Sequence, residues 1–309
     1  MMLQSDLYYR SSTTVLMVLA FALVLSSGES VIAALLYSVE ARVFHELMQV
    51  PLLDDLIHKK RQAINWFLYI IASAWILGEI VQDTVHLPLV RLLSTLGYST
   101  WLAAYIATLD VKLVRDEVLH MAWLQFCVSI TSLQTFFLFR NLQQGLIWFL
   151  LPTSLVIFND IAAYVCGRVF GKTKLVDISP RKTVEGFLGA IIMTVLFGYR
   201  FSQWLTQFDY MIVPHARPLL LQWMQDDQDT MGSGSVNNMH VHGVILALYA
   251  SVAAPFGGFL ASSIKRACSK KDFAQLIPGH GGMTDRMDCH LLMGLFTFVY
   301  YRYAVNDQQ

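Results

Sequence analysis

The sequence predicts an all-α, polytopic integral membrane protein, and three observations support this prediction. Hydrophobic residues make up 55% of the 309-residue chain, only 14% of its residues are charged, and its mean hydropathy is +0.50. Soluble domains have about 25% charged residues. Apolar segments near the roughly 20 residues that a bilayer-crossing helix needs recur along the whole chain. We therefore expect about nine transmembrane helices by this length rule.

The predicted spans follow one another with short polar segments between them. Residues 26–30 alone join the first two spans, and the last span is short. Residues 40–61 carry Glu46 and end in Lys59-Lys60-Arg61, which predicts a cytoplasmic linker with an interfacial helix. Residues 205–240 predict an exposed loop on the opposite side. The spans are residues 11–27, 28–44, 63–82, 91–109, 121–139, 144–165, 186–204, 241–262 and 289–304.

Basic residues predict the orientation of these spans. If the N-terminus is cytoplasmic, most of the 22 Lys and Arg fall on the cytoplasmic side. Cytoplasmic loops of membrane proteins are usually enriched in these residues. Two predicted spans separate residues 168–182 from residues 265–288, so both polar loops emerge on that same side. We expect an active site facing the cytoplasm, with residues 1–140 as an N-terminal transmembrane region and residues 141–309 as the catalytic transmembrane region.

Charge and cysteine patterns exclude several other classes. The formal net charge is zero and the Lys and Arg are scattered, so nucleic-acid binding is not predicted. The four cysteines lie far apart without a C-x-x-C pair, which argues against a disulfide framework and a zinc site. We expect no cleavable signal peptide and no Arg/Ser-rich transit peptide.

Residues 262–288 form the most polar stretch and predict a polyphosphate site. The stretch combines five Lys or Arg residues with a Gly-His-Gly-Gly turn. Backbone N–H groups around Gly281-Gly282 can form an anion-binding nest. The candidate phosphate-binding cations are Lys265, Arg266 and Lys271, and His280 is a candidate for either a phosphate contact or a loop contact.

The acidic residues of the same stretch predict a metal site. Asp285 and Asp288 are three positions apart, so they share a face if their segment is helical. Hard oxygen ligands beside phosphate are how proteins usually hold Mg²⁺. Ion pairing with Arg286 and Lys271 is the alternative role. Further candidate ligands are Asp272 and Asp160.

This stretch resembles the signature of the CTP:phosphatidate cytidylyltransferases, also called CDP-diacylglycerol synthases. The matching residues are Ser262 or Ser263, Lys265-Arg266, Lys271-Asp272, Pro278, His280-Gly281-Gly282 and Asp285-Arg286-Met287-Asp288.

A second polar block is similar to the other motif of that family. It comprises Asn159-Asp160-Ile161-Ala162-Ala163-Tyr164, Gly167-Arg168, Phe170-Gly171-Lys172-Thr173 and residues 178–186, with Arg181 where Lys is more usual. The Asn-Asp-Ile form and Pro255-Phe256-Gly257-Gly258 resemble the eukaryotic branch, whereas the first 140 residues match only loosely.

The resemblance implies a reaction, a cofactor and a location. A phosphate oxygen of phosphatidic acid attacks the α-phosphorus of CTP, and CDP-diacylglycerol and pyrophosphate are the products. Mg²⁺ is the implied cofactor, CTP and phosphatidic acid are the substrates, and the implied location is the endoplasmic reticulum. The oligomeric state is left open, with a homodimer as the candidate. The implied catalytic residues are Asp285, Asp288, Lys265, Arg266, Lys271, His280 and Arg286.

The upstream block is expected to contribute to a CTP pocket. Ser179-Pro180 predicts a helix start, with Ser179 as N-cap and Pro180 at the first helical position. Because a helix N-terminus attracts phosphate, residues of that first turn are candidate ligands of CTP. A simple capped helix is the alternative. These candidates are Ser179, Lys182, Thr183 and Glu185, together with Gly281 and Gly282 of the downstream stretch.

Asp160 is expected to be functional for a separate reason. It lies in an otherwise apolar segment, and a carboxylate within a span costs roughly 2.5–3.5 kcal/mol on insertion scales. Two other functions stay open at this stage. One is another CTP-dependent membrane enzyme such as a polyprenol kinase, which would release CDP. The other is a membrane transporter, which the absence of a matching polar motif in the first half disfavours.

Overall fold

The chain folds into long packed helices. The computed structural model describes residues 23–25, 27–50, 55–81, 88–179, 182–212, 238–270, 272–274 and 281–305. Most of the first predicted span and most of residues 205–240 lie outside the described residues. The helices are α1 (Glu29–Met48), α2 (Asp55–Val81), α3 (Pro88–Ala107), α4 (Val114–Gln143), α5 (Leu146–Phe170), α6 (Val184–Leu205), α7 (Asp209–Ile212), α8 (Met239–Val252), α9 (Pro255–Ala267), α10 (Thr284–Met287) and α11 (His290–Tyr300), with a 3₁₀ turn at Val111–Leu113 and a π-helical turn at Tyr301–Val305.

The predicted all-α class is confirmed for the described part of the chain, which contains helices and no β-strand. Within these residues, four helical segments are long and apolar enough to cross a membrane: Val111–Gln143, Leu146–Phe170, Val184–Leu205 and Met239–Ala267. The last of these consists of α8 and α9. Pro255 begins α9 because a proline has no N–H to continue the ladder of α8.

The N-terminal half packs around one apolar core that α1, α2, α3 and α4 share. Aromatic side chains dominate its interior: Phe44 stacks on Tyr69 with ring centroids 4.5 Å apart, and Trp101 is only 1% exposed. Such rings remove large apolar areas from contact with polar surroundings. Helix α1 continues to Met48, into the segment predicted as a linker with an interfacial helix, and it buries Glu46.

A buried ion pair ties α2 to the start of α4. Arg61 donates from Nη2 to Glu117 Oε2, and both side chains are at most 2% exposed. The Arg61 guanidinium also lies 4.1 Å from the ring centroid of Tyr105 and donates to the carbonyl oxygen of Thr108 at 3.0 Å. A buried charge pair is tolerated where several such contacts satisfy both partners.

The C-terminal half depends on close helix packing at glycines. A Cβ added to Gly186 of α6 would lie 2.8 Å from both the Ala163 carbonyl oxygen and the Gly167 Cα of α5. Gly198 and Gly243 make a similar approach between α6 and α8. Helix α4 connects the two halves, since it packs against α1 and α2 on one side and α5 and α11 on the other.

The glycine contact between α5 and α6 leads to a stability prediction. Gly186→Ala is expected to lower the free energy of unfolding by about 1–3 kcal/mol, the usual effect of overpacking. Gly294→Ala is the matched control, because its new Cβ would meet Phe137 Cβ at an ordinary 3.5 Å. Thermal unfolding of both variants in detergent measures the difference. Equal midpoints would contradict the close packing.

Candidate active site

The structure brings the two predicted polar blocks together at one end of the helices. The upstream block occupies the end of α5, the following loop and the start of α6, and the downstream block begins in the last turns of α9 and continues through α10. Lys182 Nζ lies 4.7 Å from the ring centroid of Phe259 in α9. Arg266 Nε, at the end of α9, donates to the Ile178 carbonyl oxygen at 3.5 Å. The two blocks, far apart in the sequence, therefore form one site.

The upstream loop folds back on itself before α6 begins. An isolated antiparallel bridge pairs Lys174 with Thr183, and the Leu175 N–H donates to the Lys182 carbonyl oxygen at 2.9 Å. The predicted helix start at Ser179 is wrong: the helix begins at Val184, with Thr183 as N-cap accepting from the Gly186 N–H. Thr183 has extended backbone angles (φ −115°, ψ 153°), so the helix begins only after it.

Glu185 organises this loop from the first turn of α6. Its carboxylate accepts hydrogen bonds from the Lys172 N–H at 3.0 Å and from the N–H and hydroxyl of Thr173. These contacts support a role for Glu185 in shaping the pocket. Ser179 lies in a turn where its carbonyl oxygen accepts from the Lys182 N–H at 3.0 Å. From the same loop, the Lys182 side chain reaches Phe259 of α9.

Asp285 organises the downstream loop in the same way. Its Oδ2 accepts from the N–H groups of Gly282 and Phe273, each at 3.1 Å, and its Oδ1 accepts from Lys265 Nζ at 2.6 Å. Asp285 and Lys265 are 11% and 12% exposed. Both oxygens of Asp285 are thus engaged by the protein itself. The ion pair of Asp285 is with Lys265, whereas the sequence had suggested Arg286 and Lys271 as partners.

A buried carboxylate from α1 holds the rest of this loop, and sequence reasoning missed it. Glu46 Oε1 accepts from the Met283 N–H at 3.0 Å, and Oε2 accepts from the N–H and hydroxyl of Thr284, each at 2.9 Å. The Gly282 N–H is taken by Asp285. Carboxylates of the chain therefore accept hydrogen bonds from the N–H groups of Gly282, Met283 and Thr284. Anion binding by the Gly281 N–H stays a prediction.

A second pair of acids, Asp160 and Asp288, is placed differently. Asp160 is an accessible side chain of α5, and its charge acts on Asp288. Burial raises the pKa of Asp288 to about 6; the Asp160 carboxylate raises it as well, whereas Lys265 and Lys182 lower it. Asp288 packs on α9 at Gly257, where a Cβ would lie 2.3 Å from its carbonyl oxygen. Asp288 thus interacts electrostatically with Asp160 and with both lysines.

This arrangement fits a divalent cation that also binds substrate. Among the residues that the structure describes, no three His, Cys, Asp or Glu side chains converge. Mg²⁺ is commonly held by one or two carboxylates together with substrate phosphates, so Asp160 and Asp288 supply a suitable donor set. Asp272 lies beside Asp285 at the Gly281 turn, where a Cβ on Gly281 would lie 3.9 Å from Asp272 Cγ.

The remaining predicted residues are placed only in part. Lys271 and His280 lie outside the described residues. Arg266 is exposed and also donates to the Lys270 carbonyl oxygen at 3.3 Å. Arg286 is exposed, and its charge acts on Asp160, so it belongs to the same cluster.

An apolar cavity adjoins this cluster. Its volume is about 310 Å³, and it lies between α1, α4, α9 and α11. Val43, Phe126, Leu260 and Leu291 are among its lining side chains, and Asp288 lies on its wall. The site therefore combines a charged region suited to phosphates with an apolar space suited to hydrocarbon, and Asp288 belongs to both.

Comparison with known proteins finds one family and several relatives within it. The family described as "Cytidylyltransferase family" matches residues 8–304. The chain is similar to phosphatidate cytidylyltransferase 1 of Arabidopsis thaliana, with 30% identity over 97% of this chain and 79% of that protein. It is also similar to phosphatidate cytidylyltransferase of Saccharomyces cerevisiae, with 32% identity over 98% of this chain and 74% of that protein. Phosphatidate cytidylyltransferase 1 of Homo sapiens shows 31% identity over 95% of this chain and 71% of that protein.

The ion pair between Lys265 and Asp285 leads to a second prediction. Lys265→Met and Asp285→Asn should each lower the free energy of unfolding by about 3 kcal/mol, because each leaves a mostly buried charge without its partner. The loss of unfolding free energy in the double variant should be smaller than the sum of the two single losses, by roughly 0.5–3 kcal/mol. Chemical unfolding of the four proteins in detergent gives this interaction energy, and strict additivity would contradict the pairing.

Proposed function

Because the chain belongs to the cytidylyltransferase family, we propose that it is a phosphatidate cytidylyltransferase. It joins CTP to phosphatidic acid and forms CDP-diacylglycerol and pyrophosphate, as part of phospholipid biosynthesis. The curated relatives to which it is similar are named for this activity.

The observation that carries this proposal is the contact between the charged cluster and the apolar cavity. Phosphatidic acid has one phosphate and two hydrocarbon chains, so its site must offer cations and apolar surface side by side. Asp288 lines the cavity and also lies within reach of the charges of Lys182 and Lys265. A soluble nucleotide alone would not require the cavity.

The chemistry at this site is mainly positioning and charge compensation. A phosphate oxygen of phosphatidic acid forms a bond to the α-phosphorus of CTP, and the bond from that phosphorus to the bridging oxygen of pyrophosphate breaks. The leaving pyrophosphate keeps the electron pair. Because a phosphate monoester is already ionised near neutral pH, no strong general base is needed. Two unit charges 4 Å apart repel by about 4 kcal/mol at an effective dielectric of 20, so cations are essential.

The basic residues of the two loops supply these cations. Lys182 reaches across from the upstream loop, and Arg286 lies near Asp160. Lys265 has three N–H donors, of which Asp285 takes one, so the others remain for a phosphate oxygen. Glu185 and Asp285 keep the two loops in place while these cations bind the substrates.

We propose Mg²⁺ as the cofactor, held by Asp160 and Asp288, with Asp272 and Asp285 as further candidate ligands from the sequence. When bound, the ion would neutralise phosphate charge at the reacting groups. The engagement of both Asp285 oxygens favours the Asp160 and Asp288 pair.

The membrane arrangement is part of the proposal. Nine spans with a cytoplasmic N-terminus place both loops in the cytosol, where CTP is available, and the distribution of Lys and Arg supports that orientation. We propose the endoplasmic reticulum as the location and residues 141–309 as the catalytic region. A homodimer stays a prediction, which the mass of the protein in detergent would test.

The decisive experiment follows the label from CTP carrying a labelled α-phosphate, with phosphatidic acid and the purified full-length chain in detergent. Label in a lipid product, together with pyrophosphate release that requires Mg²⁺, is the expected result. Label that remains in CDP, with phosphorylation of a polyprenol instead, would overturn the proposal in favour of a kinase.

Removing the charge of Asp288 tests the proposed metal site. Asp288→Asn is expected to lower kcat by at least about 100-fold, because a displaced or lost ligand misplaces the reacting groups. The control is Asp116→Asn, which changes the same residue type in the first turn of α4, away from the site. Rates are measured over a series of Mg²⁺ concentrations. Wild-type kcat and Mg²⁺ dependence in Asp288→Asn would refute the assignment.

Removing Lys182 tests the contribution of the upstream loop. Lys182→Ala is expected to raise the KM for CTP by about tenfold or more, the value of one charge-assisted hydrogen bond, and to change the KM for phosphatidic acid less. Lys112→Ala, an exposed lysine in the 3₁₀ turn before α4, is the matched control. An unchanged KM for CTP would exclude Lys182 from the pocket.

A further inference from the structure

Glu46 contacts the downstream loop although it lies far away in the sequence. It sits near the end of α1, 237 positions before Met283, and is 1% exposed. Its two oxygens accept three hydrogen bonds of 2.9–3.0 Å from Met283 and Thr284. Hydrogen bonds to a carboxylate are roughly twice as strong as those between neutral groups. Glu46 is therefore a firm anchor for this segment.

The anchored segment leads directly to Asp288. Thr284 is the first residue of α10, and Met287, its last residue, precedes Asp288. The N–H groups of a first helical turn have no partner within their own helix, so they must find one elsewhere. Glu46 supplies that partner. The direction in which α10 starts, and hence the place of Asp288, depends on the Glu46 carboxylate.

Two further contacts define how tightly the segment is held. A Cβ added to Gly282 would lie 2.6 Å from Glu46 Oε2 and 3.0 Å from the Ala274 nitrogen, so only glycine fits against the carboxylate. On the other side, Gln134 of α4 donates from Nε2 to the Met287 carbonyl oxygen at 3.1 Å. Glu46 thus holds the N–H side of the segment and Gln134 holds a carbonyl at its end.

Glu46 does not touch the substrates in this arrangement. Its oxygens are occupied by Met283 and Thr284, and the side chain is buried. We propose that Glu46 is a positioning residue for the cytidylyl transfer: it fixes α10 so that Asp288 faces Asp160 and Lys182. This inference rests on the proposed function and adds to it a role for the N-terminal region.

The test uses Glu46→Gln in the full-length chain. The amide keeps the size of the side chain, but it replaces one acceptor oxygen with a donor that opposes the loop N–H groups. We expect kcat to fall by about 100-fold, the effect of a small misplacement, while the KM for CTP changes by less than about threefold. Amide hydrogen exchange is measured in parallel, and Met283 and Thr284 should exchange faster in the variant.

Glu40→Gln is the matched control. Glu40 lies on the same helix and is 0% exposed, and its oxygens have no hydrogen-bond partner in the described part of the chain. This control should keep wild-type kcat and wild-type exchange at Met283 and Thr284. A loss of kcat in Glu40→Gln equal to that of Glu46→Gln would overturn the specific role of Glu46. Replacing a buried glutamate of α1 with an amide would then be enough to lower kcat, whether or not the glutamate contacts the loop.

Gly282→Ala provides a second route if Glu46→Gln does not fold. Its Cβ pushes against Glu46 Oε2 without removing the carboxylate, and it should reproduce the fall in kcat and the faster exchange. Unchanged exchange at Met283 and Thr284, or faster exchange with unchanged kcat, would refute the proposal. If the wild-type chain transfers no label from CTP, the proposed function fails, whereas the exchange measurement still decides whether Glu46 holds the loop.

Discussion

The hydrogen bonds from the backbone of residues 282–284 to buried carboxylates are the interactions on which the rest of the site depends. Glu46 and Asp285 accept the N–H groups of Gly282, Met283 and Thr284. Gly282 and Thr284 are buried, and a buried polar group without a hydrogen-bond partner costs several kcal/mol. The loop can therefore be irregular, and still be ordered, only where acidic side chains satisfy it.

This requirement divides the acidic residues into two groups. Glu185 and Asp285 each satisfy the backbone of one polar loop, so they shape the site from within. Asp160 and Asp288 instead interact electrostatically with each other and with lysines, and Asp288 also lines the apolar cavity. Carboxylates that bind the backbone and carboxylates proposed to bind a cation are thus close to one another. Their hydrogen-bond partners tell them apart.

Close packing at glycines brings these groups within reach of one another. Gly186 lets α6 approach α5, which places Lys182 near Asp160, and Gly257 lets α9 approach the backbone of Asp288. Helix α4 then joins this half to α1, so that Glu46 reaches the loop. The charged cluster is consequently a product of both halves of the chain.

Contiguous sequence features determined the class of the protein, its membrane character and the two polar blocks, because hydropathy and short motifs are local properties. They also led to Asp160, Lys182, Lys265 and Asp288 as candidates, since charges are conspicuous among apolar residues. The start of α6 at Val184 was not predictable from Ser179-Pro180, because the bridge between Lys174 and Thr183 overrides the local capping signal.

Only the tertiary structure decided that Asp285 pairs with Lys265 and that Glu46 and Gln134 hold the loop from 237 and 153 positions away. Which acceptor satisfies which donor depends on how distant helices pack, and no local pattern records that.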